Sequence, residues 1–221
     1  MIKCVIFDFD GVIAESVDIK TDAFQALFKD YPQHIKAITE FHVNNGGISR
    51  YEKFKFIYIN ILKEELSQEK FDWHCDKFSE LVVEKVVAAP FVKGARELLD
   101  ACYGRYEMFI VSGTPETEIK EIIKRRGLVK YFLGIFGSPA TKFELISNIL
   151  KDRKYSADEA VFIGDSINDL DAAREARIRF IGRITGDNFS CAAQKGKDLI
   201  FTKDMAGVLE HIKQFDSIQI S

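Results

Sequence analysis

The chain has 221 residues, of which 47% are hydrophobic and 29% charged, with a net charge of −3. This composition buries one large core or two smaller ones and leaves little for disordered segments. A pI of 5.9 argues against nucleic acid as a partner, and no apolar run approaches the ~20 residues of a membrane span.

The first element is the apolar, β-branched run Lys3-Cys4-Val5-Ile6-Phe7, which reads as a strand ending in Asp8-Phe9-Asp10-Gly11-Val12. Alternation along a strand puts Asp8 and Asp10 on one side, and Gly11 permits a sharp turn as the chain leaves the sheet. Two acids that close repel unless a shared proton or a cation compensates, and a hard divalent cation such as Mg²⁺ suits oxygen ligands.

Nearly a hundred residues separate this strand from the next, far more than one crossover helix needs. The intervening pattern is helical: residues 21–28 with Ala23, Phe24, Leu27 and Phe28 on one face, a break at Pro32, and residues 34–43 stopped by Asn44-Asn45-Gly46-Gly47. Ser49 caps a third helix carrying Phe54, Ile57, Tyr58, Ile61 and Leu62, and a fourth runs from about Ser67 to Ala88, before Pro90. These form a four-helix bundle on a two-strand stalk. The chain returns through Lys93-Gly94-Ala95-Arg96 and a helix to Ala101.

The second strand, Tyr106 to Val111, ends in Ser112-Gly113-Thr114-Pro115, where Thr114 is placed to cap a helix and Pro115 to start it. Ser112 and the neighbouring amides are donors suited to an anion. A short strand near Ile135-Phe136 leads to Lys142, a cation at a helix start, where the dipole disfavours it. Local inconsistencies of this kind mark functional sites.

A fourth strand, Ala160 to Ile163, follows the capping pattern Ser156-x-x-Glu159, read as a short turn, and ends in Gly164-Asp165-Ser166-Ile167-Asn168-Asp169. Asp169 lies one helical turn from Asp165, so carboxylates again cluster where a strand gives way to a helix. Residues 180–182 read as a fifth strand, 199–201 as an edge strand, and 205–214 as a last helix. Strands alternating with helices predict an α/β fold, a Rossmann-like parallel sheet covered on both faces.

Taken together, Asp8-x-Asp10-Gly11-Val12, the strand ending at Ser112, Lys142 and Gly164-Asp165-Ser166-x-x-Asp169 resemble, in order, the four motifs of the haloacid dehalogenase superfamily. The resemblance covers residues 3 to about 182. The insertion resembles the helical cap of the phosphoglycolate phosphatase and β-phosphoglucomutase branch. It implies a catalytic core of residues 1–15 and 90–221 and a cap of residues 16–89.

The resemblance also implies a mechanism. Asp8 attacks phosphorus to form an aspartyl-phosphate; Asp10 acts as general acid, then base; Ser112, Gly113 and Lys142 hold the phosphoryl oxygens. Mg²⁺ is held by Asp8, the backbone carbonyl of Asp10, Asp165 and Asp169. The cap loop 45–50 is expected to reach the site, with Arg50 gripping a distal anion, and Lys20 is a further substrate-binding candidate standing where the mutase carries a histidine.

The expected partner is a small phosphorylated metabolite, with no nucleic acid, membrane or obligate protein partner. A mutase activity is the rival enzyme reading. Against it, Gly113-Thr114 replaces that branch's serine-lysine pair, and Lys142 follows Gly137-Ser138-Pro139 in place of a lysine-proline pattern. Dehalogenation is disfavoured by Asp10, and a catalytically silent binding module by the presence of Asp8.

The cysteines Cys4, Cys75, Cys102 and Cys191 are scattered with no C-x-x-C pair, which predicts thiols rather than a disulfide framework. His34, His42, His74 and His211 form no metal-ligand spacing and read as incidental. The first strand begins too early to leave room for a signal peptide, so a cytoplasmic location is expected.

Overall fold

The apolar runs of the central strands, residues 4–7, 108–112, 160–164 and 179–183, are buried on both sides, which is why they lack a clean polar alternation. A computed structural model describes residues 1–185 and 199–217; Cys191 lies outside the described residues. The strands are β1 (Cys4–Phe7), β2 (Glu107–Pro115), β3 (Gly134–Ser138), β4 (Ala160–Gly164), β5 (Arg179–Arg183) and β6 (Leu199–Thr202). They form one parallel sheet in the order β3-β2-β1-β4-β5-β6. The order reverses beside β1, with β2 and β3 on one flank and β4 to β6 on the other.

The helices between β1 and β2 are α1 (Val17–Leu27), α2 (Ile35–Asn44), α3 (Arg50–Phe56), α4 (Gln68–Ala88) and α5 (Ala95–Cys102). Four more follow: α6 (Glu116–Arg125), α7 (Lys142–Arg153), α8 (Ile167–Glu175) and α9 (Val208–Ser217). The expected stalk is a single antiparallel bridge between Ala14 and Phe91. Among the described residues no helix is long and apolar enough to cross a membrane, and Cys4, Cys75 and Cys102 are free thiols.

Alternate residues of the central strands face two cores. Cys4, Ile6, Phe109, Val111 and Phe162 pack with α7 and α8 on one face. Val5, Phe7, Ile110, Val161 and Ile163 pack with α5, α6 and α9 on the other. The second core continues without interruption into the inserted helices through Phe24, Phe28, Phe54, Phe78 and Val82, so the bundle and the sheet share buried apolar surface.

Three local readings are corrected. Helix α1 starts four residues before Thr21, because Ser16 occupies its N-cap; the hydroxyl makes no cap bond and turns to Asp10 instead. The regular helix expected through Leu62 ends at Phe56 and continues as a π-helical turn, Ile57–Leu62. Its i→i+5 spacing brings buried Ile57 and Leu62 to one side. Thr114 does not cap α6: β2 extends through Pro115, which occupies the N-cap without a side-chain bond.

Phe54 is the hub of the inserted bundle, its ring centroid 5.5 Å from Phe24, 6.2 Å from Phe28 and 6.1 Å from Phe78. Phe54→Ala therefore destabilises the fold by about 3–5 kcal/mol in urea unfolding. A loss below about 1 kcal/mol would show that this aromatic cluster does not hold the bundle together.

Candidate active site

Parallel α/β sheets place their ligand crevices beyond the carboxyl ends of the strands, where the strand order reverses. Here that point lies between β1 and β4. The Asp8 amide donates to the Ile163 carbonyl at 2.9 Å, which carries Asp8 one residue past the sheet, alongside the end of β4. Asp165 follows β4 directly, and Asp169 returns toward the same corner from the first turn of α8. One carboxylate oxygen from each of Asp8, Asp165 and Asp169 lies within 4.8 Å of the others.

The backbone is shaped around these acids. Gly11 has a φ of +73°, and a Cβ there would stand 2.0 Å from Asp165 Oδ2. Glycine is required both by the turn and by the carboxylate beside it. Asp169 is held in a reciprocal capping box: Ser166 Oγ and the Ser166 amide donate to its Oδ2 at 2.5 and 3.1 Å.

Lys142 is almost fully buried, and its Nζ bridges Asp8 Oδ2 at 2.8 Å and Asp169 Oδ1 at 2.5 Å. Thr141 and Glu144 make a capping box that fixes the start of α7, so two carboxylates hold a cation where the helix dipole opposes it. Burial pushes the Lys142 ammonium toward losing its proton, yet Asp169 and Asp8 outweigh this and hold it charged.

One cation does not neutralise the cluster. Burial pushes the Asp8 carboxyl up; Asp169 and Asp10 add to the shift and Lys142 opposes it. Asp165 is likewise pushed well above the usual carboxylate range by burial, then by Asp8 and Asp169. A buried set of hard oxygen donors with excess negative charge fits a divalent cation.

Asp10 faces a different environment. Ser16 Oγ donates to its Oδ1 at 2.6 Å, while Oδ2 pairs with Lys20 and accepts from Thr114 Oγ1 at 3.3 Å. Lys20 also donates to Thr114 Oγ1 at 2.7 Å. Burial acts to raise the Asp10 carboxyl, but the Lys20 charge and the bonds from Lys20 and Ser16 prevail and hold it low. The sequence had pointed to Thr114 as a cap; its hydroxyl belongs to this cluster. Ser112 is fully buried, its hydroxyl accepting the Thr114 amide at 3.1 Å.

The inserted helices close over this corner. A Cβ on Gly113 would stand 2.5 Å from the Gly47 carbonyl, and one on Gly47 would stand 2.6 Å from Ser166 Oγ and 3.2 Å from Lys142 Nζ. Loop 46–48 thus rests on β2, α7 and α8 at once. Beneath it is a cavity of ≈ 220 Å³, lined by Asp8, Asp10 and Asp165 below and by Lys20, His42 and Lys53 from the inserted helices.

Arg50 also lines the cavity, but its guanidinium is engaged by the sheet-side helix α6. NH1 donates to Glu118 Oε2 at 2.9 Å and to Ser79 Oγ at 2.8 Å, and NH2 pairs with Glu118 Oε1. The guanidinium also lies 4.4 Å over the Phe78 ring. Both terminal nitrogens, expected to meet a distal anion, are occupied by this chain's own groups.

His42 and Lys53 did not stand out from the sequence as site residues. Lys53 follows Arg50 by three residues, so the helical face that carries Arg50 carries Lys53 as well. That spacing was the available signal. His42 had none: it was read as incidental, and its place in the lining depends on how α2 packs against α1, where its ring lies 4.2 Å from that of Phe24.

Comparison with known proteins agrees with this geometry. The phosphoglycolate phosphatase of Vibrio parahaemolyticus is 26% identical over 197 residues, covering 85% of this chain and 86% of that one. A phosphorylated carbohydrates phosphatase from Thermotoga maritima is 27% identical over 189 residues, covering 81% and 83%. The crystal structure of β-phosphoglucomutase from Clostridium difficile superposes with a TM-score of 0.80 over all of both chains at 19% identity, a likeness of fold. A family model for haloacid dehalogenase-like hydrolases matches residues 5–183. With the acidic corner at the β1–β4 switch and the match over most of its length, the chain belongs to the haloacid dehalogenase-like hydrolases.

Proposed function

We propose that this hydrolase is a Mg²⁺-dependent phosphatase acting on small organic phosphate monoesters, sugar phosphates or phosphoglycolate-like esters, through an aspartyl-phosphate at Asp8. The observation that carries the reading is the juxtaposition of Asp8, Asp165 and Asp169 with the buried Lys142, beside the cavity beneath loop 46–48. The names of the two curated relatives support the substrate class, and the ≈ 220 Å³ cavity fits a small metabolite.

In this reading residues 1–15 and 90–221 are the catalytic core and residues 16–89 the cap. Asp8 attacks phosphorus, dividing one difficult hydrolysis into two easier displacements. Lys142, the Ser112 hydroxyl and the Gly113 amide stabilise the transferring oxygens. The proton for the leaving oxygen resides in the Lys20–Asp10 pair, and Asp10 then takes a proton from the water that hydrolyses the intermediate. Asp8, the Asp10 carbonyl, Asp165 and Asp169 would hold Mg²⁺, which supplies charge neutralisation and Lewis acidity. Loop 46–48 excludes water, and the Arg50–Glu118 pair ties the cap to the core.

Activity should vanish on chelation and return with Mg²⁺, while Ca²⁺ restores less than about a tenth of it, since its looser coordination misplaces in-line groups. Full turnover after exhaustive chelation would contradict the metal assignment. Asp10→Asn should slow alkyl phosphate turnover about 10²–10⁴-fold. Its initial burst with an activated aryl phosphate, which needs little protonation, should be much less affected. Equal loss in both bursts would remove the acid role.

Glu118→Gln weakens the cap tie and leaves the buried Arg50 charge poorly compensated. It should raise KM about tenfold for acid-bearing and aryl phosphates alike. A loss confined to acid-bearing substrates would show instead that Arg50 reads the substrate directly.

A further inference from the structure

The cavity contains a second buried cation that the proposed chemistry does not use. Lys53 is only 3% exposed, on α3 one turn beyond Arg50, and it lines the same space as Asp8 and Asp165. Every other buried or half-buried cation of the site has a carboxylate: Lys142 has Asp8 and Asp169, Lys20 has Asp10, and Arg50 has Glu118. Among the described residues no carboxylate lies within ion-pair distance of Lys53.

Its ammonium is instead held by His42 and lies 5.6 Å over the Phe24 ring. Lys53 Nζ donates to the His42 carbonyl at 3.1 Å and lies 3.1 Å from His42 Nδ1. Burial, then Lys53 and Lys20, push the His42 ring down to about 2, so it stays neutral and its Nδ1 serves as acceptor. An ammonium has three protons, and His42 takes two. The third meets no hydrogen-bond acceptor among the described residues. Burial, then repulsion from Lys20, push Lys53 down to about 7, with Asp10 opposing; an anion beside it would restore its charge.

We propose that Lys53, positioned by His42, binds a second anionic group on the substrate, a carboxylate or a second phosphate, and so selects phosphate monoesters that carry one. The inference rests on the phosphatase reading, with the ester phosphate at Asp8 and the second anion against the cap. It assigns the distal-anion role to Lys53, because the Arg50 guanidinium is already paired.

Binding of inert analogues tests this without turnover. In Mg²⁺ buffer, calorimetric titration of the full chain compares phosphonoacetate, which carries a carboxylate, with methylphosphonate, which does not. The wild-type protein should prefer phosphonoacetate by about ten- to a hundredfold, the value of one charged hydrogen bond. Lys53→Met should bring that ratio below about threefold, and Lys53→Arg should retain part of it. A wild-type ratio near one overturns the inference with no variant needed. So does a Lys53→Met protein that keeps the ratio, including one that binds both ligands equally more weakly, since Lys53 would then act on the transferred phosphate or on the fold. Hydrolysis of phosphoglycolate, which carries the second anion, tests the phosphatase reading separately: no turnover of it or of an aryl phosphate alongside a strong phosphonoacetate preference would reject that reading and leave the subsite standing.

Discussion

The site depends on bringing carboxylates together where they repel. Asp8, Asp165 and Asp169 offer oxygens within 4.8 Å of one another in a buried corner, and Lys142 bridges two of them. Without compensation such a cluster would take up protons or move apart. The fold prevents the second. Gly11 leaves room for Asp165, the Ser166 capping box fixes Asp169, and the β1–β4 pairing fixes Asp8. The remaining excess of negative charge is what the proposed divalent cation would neutralise.

The rest of the molecule serves this corner. The sheet supplies rigid strand ends, with apolar residues packed on both faces. The inserted helices supply the roof, and their core is continuous with that of the sheet. Polar contacts fasten the roof at several places, two of them beside the cavity. Lys20 of α1 reaches Asp10 and Thr114, and Arg50 of α3 pairs with Glu118 of α6. The inserted helices thus complete the environment of Asp10 through Lys20.

The sheet, the order of its elements and the acidic turns were legible because each rests on local patterning: apolar runs for strands, capping residues for helices, and acids at strand ends. Asp8, Asp10, Lys142, Asp165 and Asp169 meet because each stands at the same end of a parallel strand or the start of the following helix. Partners that depend on how the inserted helices dock were not legible. Nothing local to Arg50 reveals Glu118, sixty-eight residues on. Nothing local to Thr114 shows that its hydroxyl faces Lys20 rather than the helix it precedes. His42 and Lys53 are eleven residues apart on different helices, and their contact follows from tertiary packing alone.

The central claim is that Asp8 carries the phosphoryl group during turnover. Acid quenching in the first turnovers of an alkyl phosphate ester, followed by peptide mass spectrometry, tests it most directly. The account predicts one phosphoryl group on the peptide containing Asp8, formed before free phosphate reaches its steady rate and absent in Asp8→Asn. Rapid turnover with no phosphorylated Asp8 peptide, or with the phosphoryl group on another residue, would contradict it.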